Sequence, residues 1–201
     1  AIIDWIRTHH HWEVKSEWLS FIPGIVKGIG LVVNVFTKPD EKVIIQPPVY
    51  HPFRLTPEGN HREVVFNPLL RREDGYYDMD FENLEQVCDE KCRVLILCNP
   101  HNPAGLCWSK NTLVRLADFC YQHHILVISD EIHSDMALFG NQHVPFASVS
   151  QHAADISITF GAPTKTFNMA GIVSSYAIVP NAELREKFFG WLKANELDEP
   201  T

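Results

Sequence analysis

The sequence predicts an α/β protein, a three-layer α/β/α sandwich built on a mostly parallel sheet. Three observations carry that prediction. Short β-branched apolar runs alternate with segments of helical periodicity along the chain. Several of those runs are apolar without interruption, as strands covered on both faces must be. Polar and Pro-rich clusters fall just after strands, at Pro47-Pro48, Asn67-Pro68 and Asn99-Pro100.

The elements follow in order. The chain opens in an amphipathic segment, Ala1-Ile2-Ile3-Asp4-Trp5. Gly24 to Phe36 is apolar nearly all round, which predicts a deeply buried helix. Lys42-Val43-Ile44-Ile45 and Val64-Val65-Phe66 read as strands, and Arg71 to Gly75 as a solvated turn. Asp80 is placed to cap a helix from Phe81 to Cys88, with Phe81, Leu84 and Val87 on its apolar face. Val94 to Leu97 is the next strand. Ser109 caps a helix whose inner face carries Leu113, Leu116, Ala117 and Cys120. Strands follow at Ile125 to Ile128, Ile156 to Thr159 and Ser175 to Val179. Asn181 caps a last helix, Ala182 to Asn195, with Leu184, Phe188, Trp191 and Leu192 on one face. No repeat or low-complexity linker divides the chain, so 1–201 reads as one domain. Its first residue is not Met and it stops just past a helical pattern, so a piece of a longer protein, cut at both ends, is expected.

Composition narrows the function. Lys and Arg number 17 against 25 Asp and Glu, a net charge of −8, which argues against a nucleic-acid partner. No apolar run approaches the ~20 residues needed to span a bilayer, so no membrane role is expected. The cysteine count is 5, odd, in a chain too large to need a disulfide framework. Free thiols and a cytoplasmic location follow as expectations. The runs His9-His10-His11 and His123-His124 place neighbours on opposite sides of any regular element, so no metal site is expected. Gly28-Ile29-Gly30 lacks the third glycine of a dinucleotide fingerprint and suits close helix packing instead.

In open α/β sheets ligands bind beyond the carboxyl ends of the strands. Here those ends carry Tyr50, then Asn102, then Asp130 and His133, then Thr164 and Lys165. If the four strands are parallel, an aromatic ring, an amide, a carboxylate and an amine converge on one edge. That set suits pyridoxal phosphate, which needs a lysine for its Schiff base and an acidic partner for its ring nitrogen.

Three segments then carry a resemblance: Asn99-Pro100-His101-Asn102-Pro103-Ala104-Gly105, Ser129-Asp130-Glu131-Ile132-His133, and Ala162-Pro163-Thr164-Lys165-Thr166-Phe167-Asn168-Met169-Ala170-Gly171. In order and spacing the sequence resembles the fold-type-I pyridoxal-phosphate enzymes, the aminotransferase class I/II superfamily, over nearly its whole length. The resemblance implies that Lys165 is the Schiff-base lysine and Asp130 the partner of the pyridine nitrogen. It implies that Asn102 bonds the ring oxygen and that Tyr50 stacks on the ring. Pro23, Gly24, Ile25 and Val26 match the phosphate-binding turn at a helix start, with Thr164 a hydroxyl that assists. His133 stands where many aminotransferases carry Tyr. With Pro47-Pro48-Val49-Tyr50-His51-Pro52-Phe53, it is similar to the cystathionine β-lyase-like, or C–S β-lyase, subgroup.

The activity so implied is cleavage of cysteine-S-conjugates to thiol, pyruvate and ammonia. A class I/II aminotransferase is the alternative within the same chemistry, and a non-catalytic α/β binding module the alternative outside it. The resemblance also implies an amino-acid substrate, a homodimer, and a small C-terminal domain, outside this chain, that supplies the arginine for the substrate carboxylate.

Overall fold

A computed structural model describes residues 1–200; Thr201, the last residue of the expected domain, lies outside the described residues. Strands and helices are numbered in chain order. Helix α1 (Ile2–His10) leads to β1 (Leu19–Ile22), α2 (Ile25–Phe36) and β2 (Lys42–Ile45). Then come α3 (Pro52–Gly59), β3 (Glu63–Phe66), a two-stranded ribbon of β4 (Leu70–Arg71) and β5 (Tyr77–Asp78), α4 (Phe81–Val87) and β6 (Cys92–Cys98). Helix α5 (Lys110–Gln122), β7 (Leu126–Asp130), α6 (Gln151–Asp155), β8 (Ser157–Gly161), β9 (Ser175–Ile178) and α7 (Ala182–Ala194) complete the order.

Seven strands form one sheet in the order β1-β9-β8-β7-β6-β2-β3. The five from β8 to β3 are mutually parallel, and β9 and β1 form antiparallel pairs at one edge. The condition for convergence is thus met: β2, β6, β7 and β8 all end at the same edge. Strands β6, β7 and β8 are buried almost end to end, as their unbroken apolar runs require. Strand β3 is the exception. It lies at the sheet margin with Glu63 and Phe66 exposed, because nothing among the described residues pairs its outer side.

The alternation of side chains sorts the sheet into two cores. Val94, Ile96 and Cys98 of β6 and Leu126 and Ile128 of β7 join Ile29, Phe53 and Phe188, from α2, α3 and α7. Leu95, Leu97 and Val127 point the other way, to Leu84, Leu116 and Ala153 from α4, α5 and α6. These are the three layers. Three of the caps form as read: Asp80, Ser109 and Asn181 each accept from the backbone N–H three residues on, worth about 1 kcal/mol apiece.

Helix α2 differs in one respect from its expected all-round burial. It buries one face, and Val26, Lys27 and Asn34 are exposed. Its glycines do pack closely. A Cβ on Gly28 would lie 2.8 Å from Ile22, so the helix sits directly on the strands. Strand β1, helix α3 and the short α6 had no clear sequence signal, each being short and mixed in polarity.

Candidate functional site

Strand order reverses between β2 and β6: α3, following β2, packs on one face of the sheet and α5, following β6, on the other. A crevice opens at such a reversal. Here it is a cavity of about 330 Å³, lined among others by Pro23, Gly24, Ile25, Val26, Tyr50, Asn102, Asp130, His133, Thr164 and Lys165. Every residue singled out from the sequence for the site therefore meets the others in one place.

Each wall has a local cause. Strand β1 pairs with β9, Ile22 opposite Ser175, and so delivers Pro23 and Gly24 to the sheet edge. Gly24 has φ 120° and ψ 150°, a conformation that residues with a side chain rarely adopt, and from it α2 starts. No side chain caps that helix, and Ile25 and Val26 of its first turn line the cavity, so N–H groups without an internal partner lie at the wall. An uncapped helix start with the positive end of its dipole is a site for an anion.

Asp130 ends β7, paired in register with Cys98 on one side and Phe160 on the other. Its carboxyl is buried, and its one hydrogen bond within the described residues is from the Ile132 N–H at 3.1 Å. Burial, aided by the charge of Glu131 and opposed by that N–H, pushes it up to about 7. A buried carboxyl with so little support can take up a proton or a cationic N–H presented from the cavity.

Asn102 is held by its backbone, whose N–H donates to Cys98 Sγ at 3.3 Å, while its side-chain amide bonds no other described residue. Tyr50 meets Phe53 nearly edge-on, ring centroids 6.2 Å apart and planes at 76°. His133 is half-buried, and burial first and the Lys165 charge second lower its pKa. Lys165 lies on the loop after β8, exposed and without a hydrogen bond from its amine to the described residues. An uncapped anion site, a free amide, an under-supported acid and a free amine match, group for group, the phosphate, ring oxygen, ring nitrogen and aldehyde of pyridoxal phosphate.

The sequence reading missed Cys98, Ile132, Gly171, Ile172, Val173 and Ser175, which also line the cavity. Cys98 needed the register of β6 with β7. Ser175 needed the antiparallel turn of β9, which no local pattern announces.

Among the described residues no helix is long and apolar enough to cross a membrane. All five cysteines are free thiols.

Comparison with known proteins adds an independent line. Residues 1–191 match the family model described as Aminotransferase class I and II. The chain is 46% identical over 198 residues to cystathionine beta-lyase PatB of Bacillus subtilis (strain 168), covering 98% of this chain and 51% of that protein. It is 31% identical over 197 residues to protein MalY of Escherichia coli (strain K12), covering 98% and 50%. The solved structure of cystalysin from Treponema denticola contains a pyridoxal 5'-phosphate cofactor. It superposes with a TM-score of 0.93 and 36% identity, over 99% of this chain and 50% of that one. The chain spans about half the length of the curated relatives it matches.

Proposed function

We propose, from the premise that this chain belongs to the aminotransferase class I and II family, that it is the cofactor-binding large domain of a pyridoxal-phosphate-dependent C–S β-lyase. The reaction is the conversion of a cysteine-S-conjugate and water to a thiol, pyruvate and ammonia. The observation that carries the reading is the meeting of Lys165 with Asp130 and Asn102 around one cavity that opens on the start of α2. Pyridoxal phosphate, when bound, supplies a carbonyl for amine exchange and a protonated ring that draws electrons from Cα of the substrate.

The residues of this chain do the rest. The N–H groups at Gly24, Ile25 and Val26, with Thr164, hold the phosphate. Asp130, ionised opposite the ring N–H, keeps the proton on that nitrogen, because a nearby negative charge favours the charged form. Asn102 donates to the ring oxygen and Tyr50 covers the ring. Lys165 would hold the cofactor at its carbonyl and, with its amine free, would take the proton from Cα of the substrate as general base. His133, beside Lys165 and with its pKa lowered, is a neutral imidazole near neutral pH and offers one N–H without adding charge.

The lyase reading over the aminotransferase rests on His133 and on the likeness to PatB. A homodimer is part of the proposal: Met136, Leu138, Ile172 and Val173 are exposed near the cavity and Phe139 is 99% exposed, an apolar rim that suits a partner subunit. A cytoplasmic location is proposed from the free thiols. The test is to offer the protein, at its native length and loaded with pyridoxal phosphate, cystathionine without a keto acid, and separately alanine with excess keto acid. Thiol and pyruvate from the first support the lyase. Amino transfer in the second with no thiol in the first supports the aminotransferase, and no turnover of either supports a binding module.

A further inference from the structure

The ammonium of Lys165 makes no hydrogen bond to the described residues, so its position depends on the backbone that carries it. That backbone is a loop between β8 and β9. Its own hydrogen bonds, Phe167 N–H to Pro163 O and Met169 N–H to Thr164 O, both 2.9 Å, shape a tight turn but tie it to nothing else. Across residues 163–173 the one hydrogen bond to the rest of the described chain is from Thr166 Oγ1 to Asp135 Oδ2, at 2.8 Å.

Asp135 lies two residues after His133, in a short turn of 3-10 helix at Ser134–Met136. Its other oxygen, Oδ1, accepts from Trp5 Nε1 at 2.9 Å and from His10 Nε2 at 2.8 Å. Both donors belong to α1, which is 125 or more residues away in sequence. Helix α1 is itself fixed: Ile6 is buried with Trp12, Val14, Ala147 and Ile178 at the β9 margin of the sheet. Trp5 also meets Phe167 of the lysine loop edge-on, with ring centroids 5.5 Å apart. One carboxylate thus gathers two donors from α1 and one from the residue next to Lys165.

We infer that Asp135 is a positioning residue: through Trp5 and His10 it anchors the loop to α1, and through Thr166 it sets where Lys165 stands. The inference rests on the role of Lys165 in the proposed function. It gives the first helix, which contributes nothing to the cavity wall, a part in the reaction. A tethered loop loses its freedom before substrate arrives, and a misplacement of 1 Å at a reacting group can cost on the order of 100-fold in rate. The burial of Asp135 pushes its carboxyl up, but the bonds from Trp5, Thr166 and His10 outweigh that and hold it below its ordinary value. It therefore stays an acceptor for all three donors at neutral pH.

Thr166→Val removes the last bond of the brace and keeps the shape of the side chain; Thr166→Ser restores the hydroxyl. In the protein at native length, the valine variant is expected to lower kcat about tenfold with KM little changed. It is also expected to shift the pH midpoint of the bound cofactor's visible absorbance, and the serine variant to recover both. In the cofactor-free protein, amide hydrogen exchange over residues 163–171 should quicken in Thr166→Val and in Trp5→Phe, and return to the native rate in Thr166→Ser. Native kcat and midpoint in the valine variant, or unchanged exchange in both variants, would overturn the inference. Failure of the unsubstituted protein to bind pyridoxal phosphate at Lys165 is a different result. It removes the functional reading, and the exchange rates then decide the tether alone.

Discussion

Asp130 and Glu131 are consecutive buried carboxyls at the end of one strand, and they live in opposite worlds. Alternation sends Asp130 to the α2 face, toward the cavity, and Glu131 to the other face, into protein. Glu131 accepts from Ser129 Oγ at 2.8 Å, from the Phe146 N–H at 2.9 Å, from His143 Nε2 at 2.8 Å and from Asn99 Nδ2 at 3.5 Å. Asp130 accepts from one backbone N–H. Glu131 is finished by the fold and holds it together; Asp130 is left incomplete on the side where a ligand would complete it. Burial alone does not mark a functional carboxyl. What marks it is burial without enough donors, at the edge of a space.

The comparison can be broken or sharpened by substitution. The largest effect is expected on the cavity side, where Lys165→Ala should lower turnover by about 10²–10⁴-fold, the usual contribution of a general base. The same variant should lose the pyridoxyl label that borohydride reduction leaves on residue 165 of the loaded protein. A label persisting on Lys27 or Lys110 would mean that the amine has been wrongly chosen.

On the core side, Glu131→Ala strands the His143, Ser129 and Phe146 donors in a dry interior. Breaking such a network is expected to cost about 3–5 kcal/mol of stability. Urea denaturation of the cofactor-free protein measures it. A loss below about 1 kcal/mol would erase the contrast between the two carboxyls.

Asp130→Asn should act in the opposite direction on stability. The folded protein holds the carboxyl neutral up to about 7, whereas the unfolded chain ionises it near 3.8. Between those values the unfolded state binds fewer protons, so stability of the cofactor-free protein falls as pH rises, and above about 7 the loss is complete. The asparagine variant escapes that loss. At pH 8 it is expected to be more stable by on the order of 2–4 kcal/mol, and near pH 4 by little. Turnover in the loaded protein should nevertheless fall on the order of 10- to 100-fold, because an amide cannot offset the ring's positive charge. A stability gain independent of pH would contradict burial of an ionisable carboxyl as its cause.

The smallest effect is expected at Gly24→Ala. The φ of 120° is strained for any side chain, though space around the position is open. The expected cost is about 1–2 kcal/mol. It should show as weaker binding of pyridoxal phosphate with little change for pyridoxal, which lacks the phosphate. Equal weakening of both would move the anion site away from α2.

The sequence by itself determined the class of fold and named ten of the residues that line the cavity. Unbroken apolar runs have few ways to be buried other than as central strands, and the residues after four of them share an edge because those strands pair in parallel. Lys165, Asp130 and Asn102 were legible because each follows the end of a strand; the turn at Gly24 was legible only through the family resemblance. Tertiary structure decided the rest. Which of Asp130 and Glu131 faces the cavity depends on where α2 packs, and that is a contact between distant segments. Cys98 and Ser175 enter the wall through the register of β6 and the reversal of β9. His10, one of three adjacent histidines with no local reason to matter, finds Asp135 only when α1 docks beside the lysine loop. Local periodicity fixes which side chains are buried; it holds no information about which of the long-range partners will supply the missing donor.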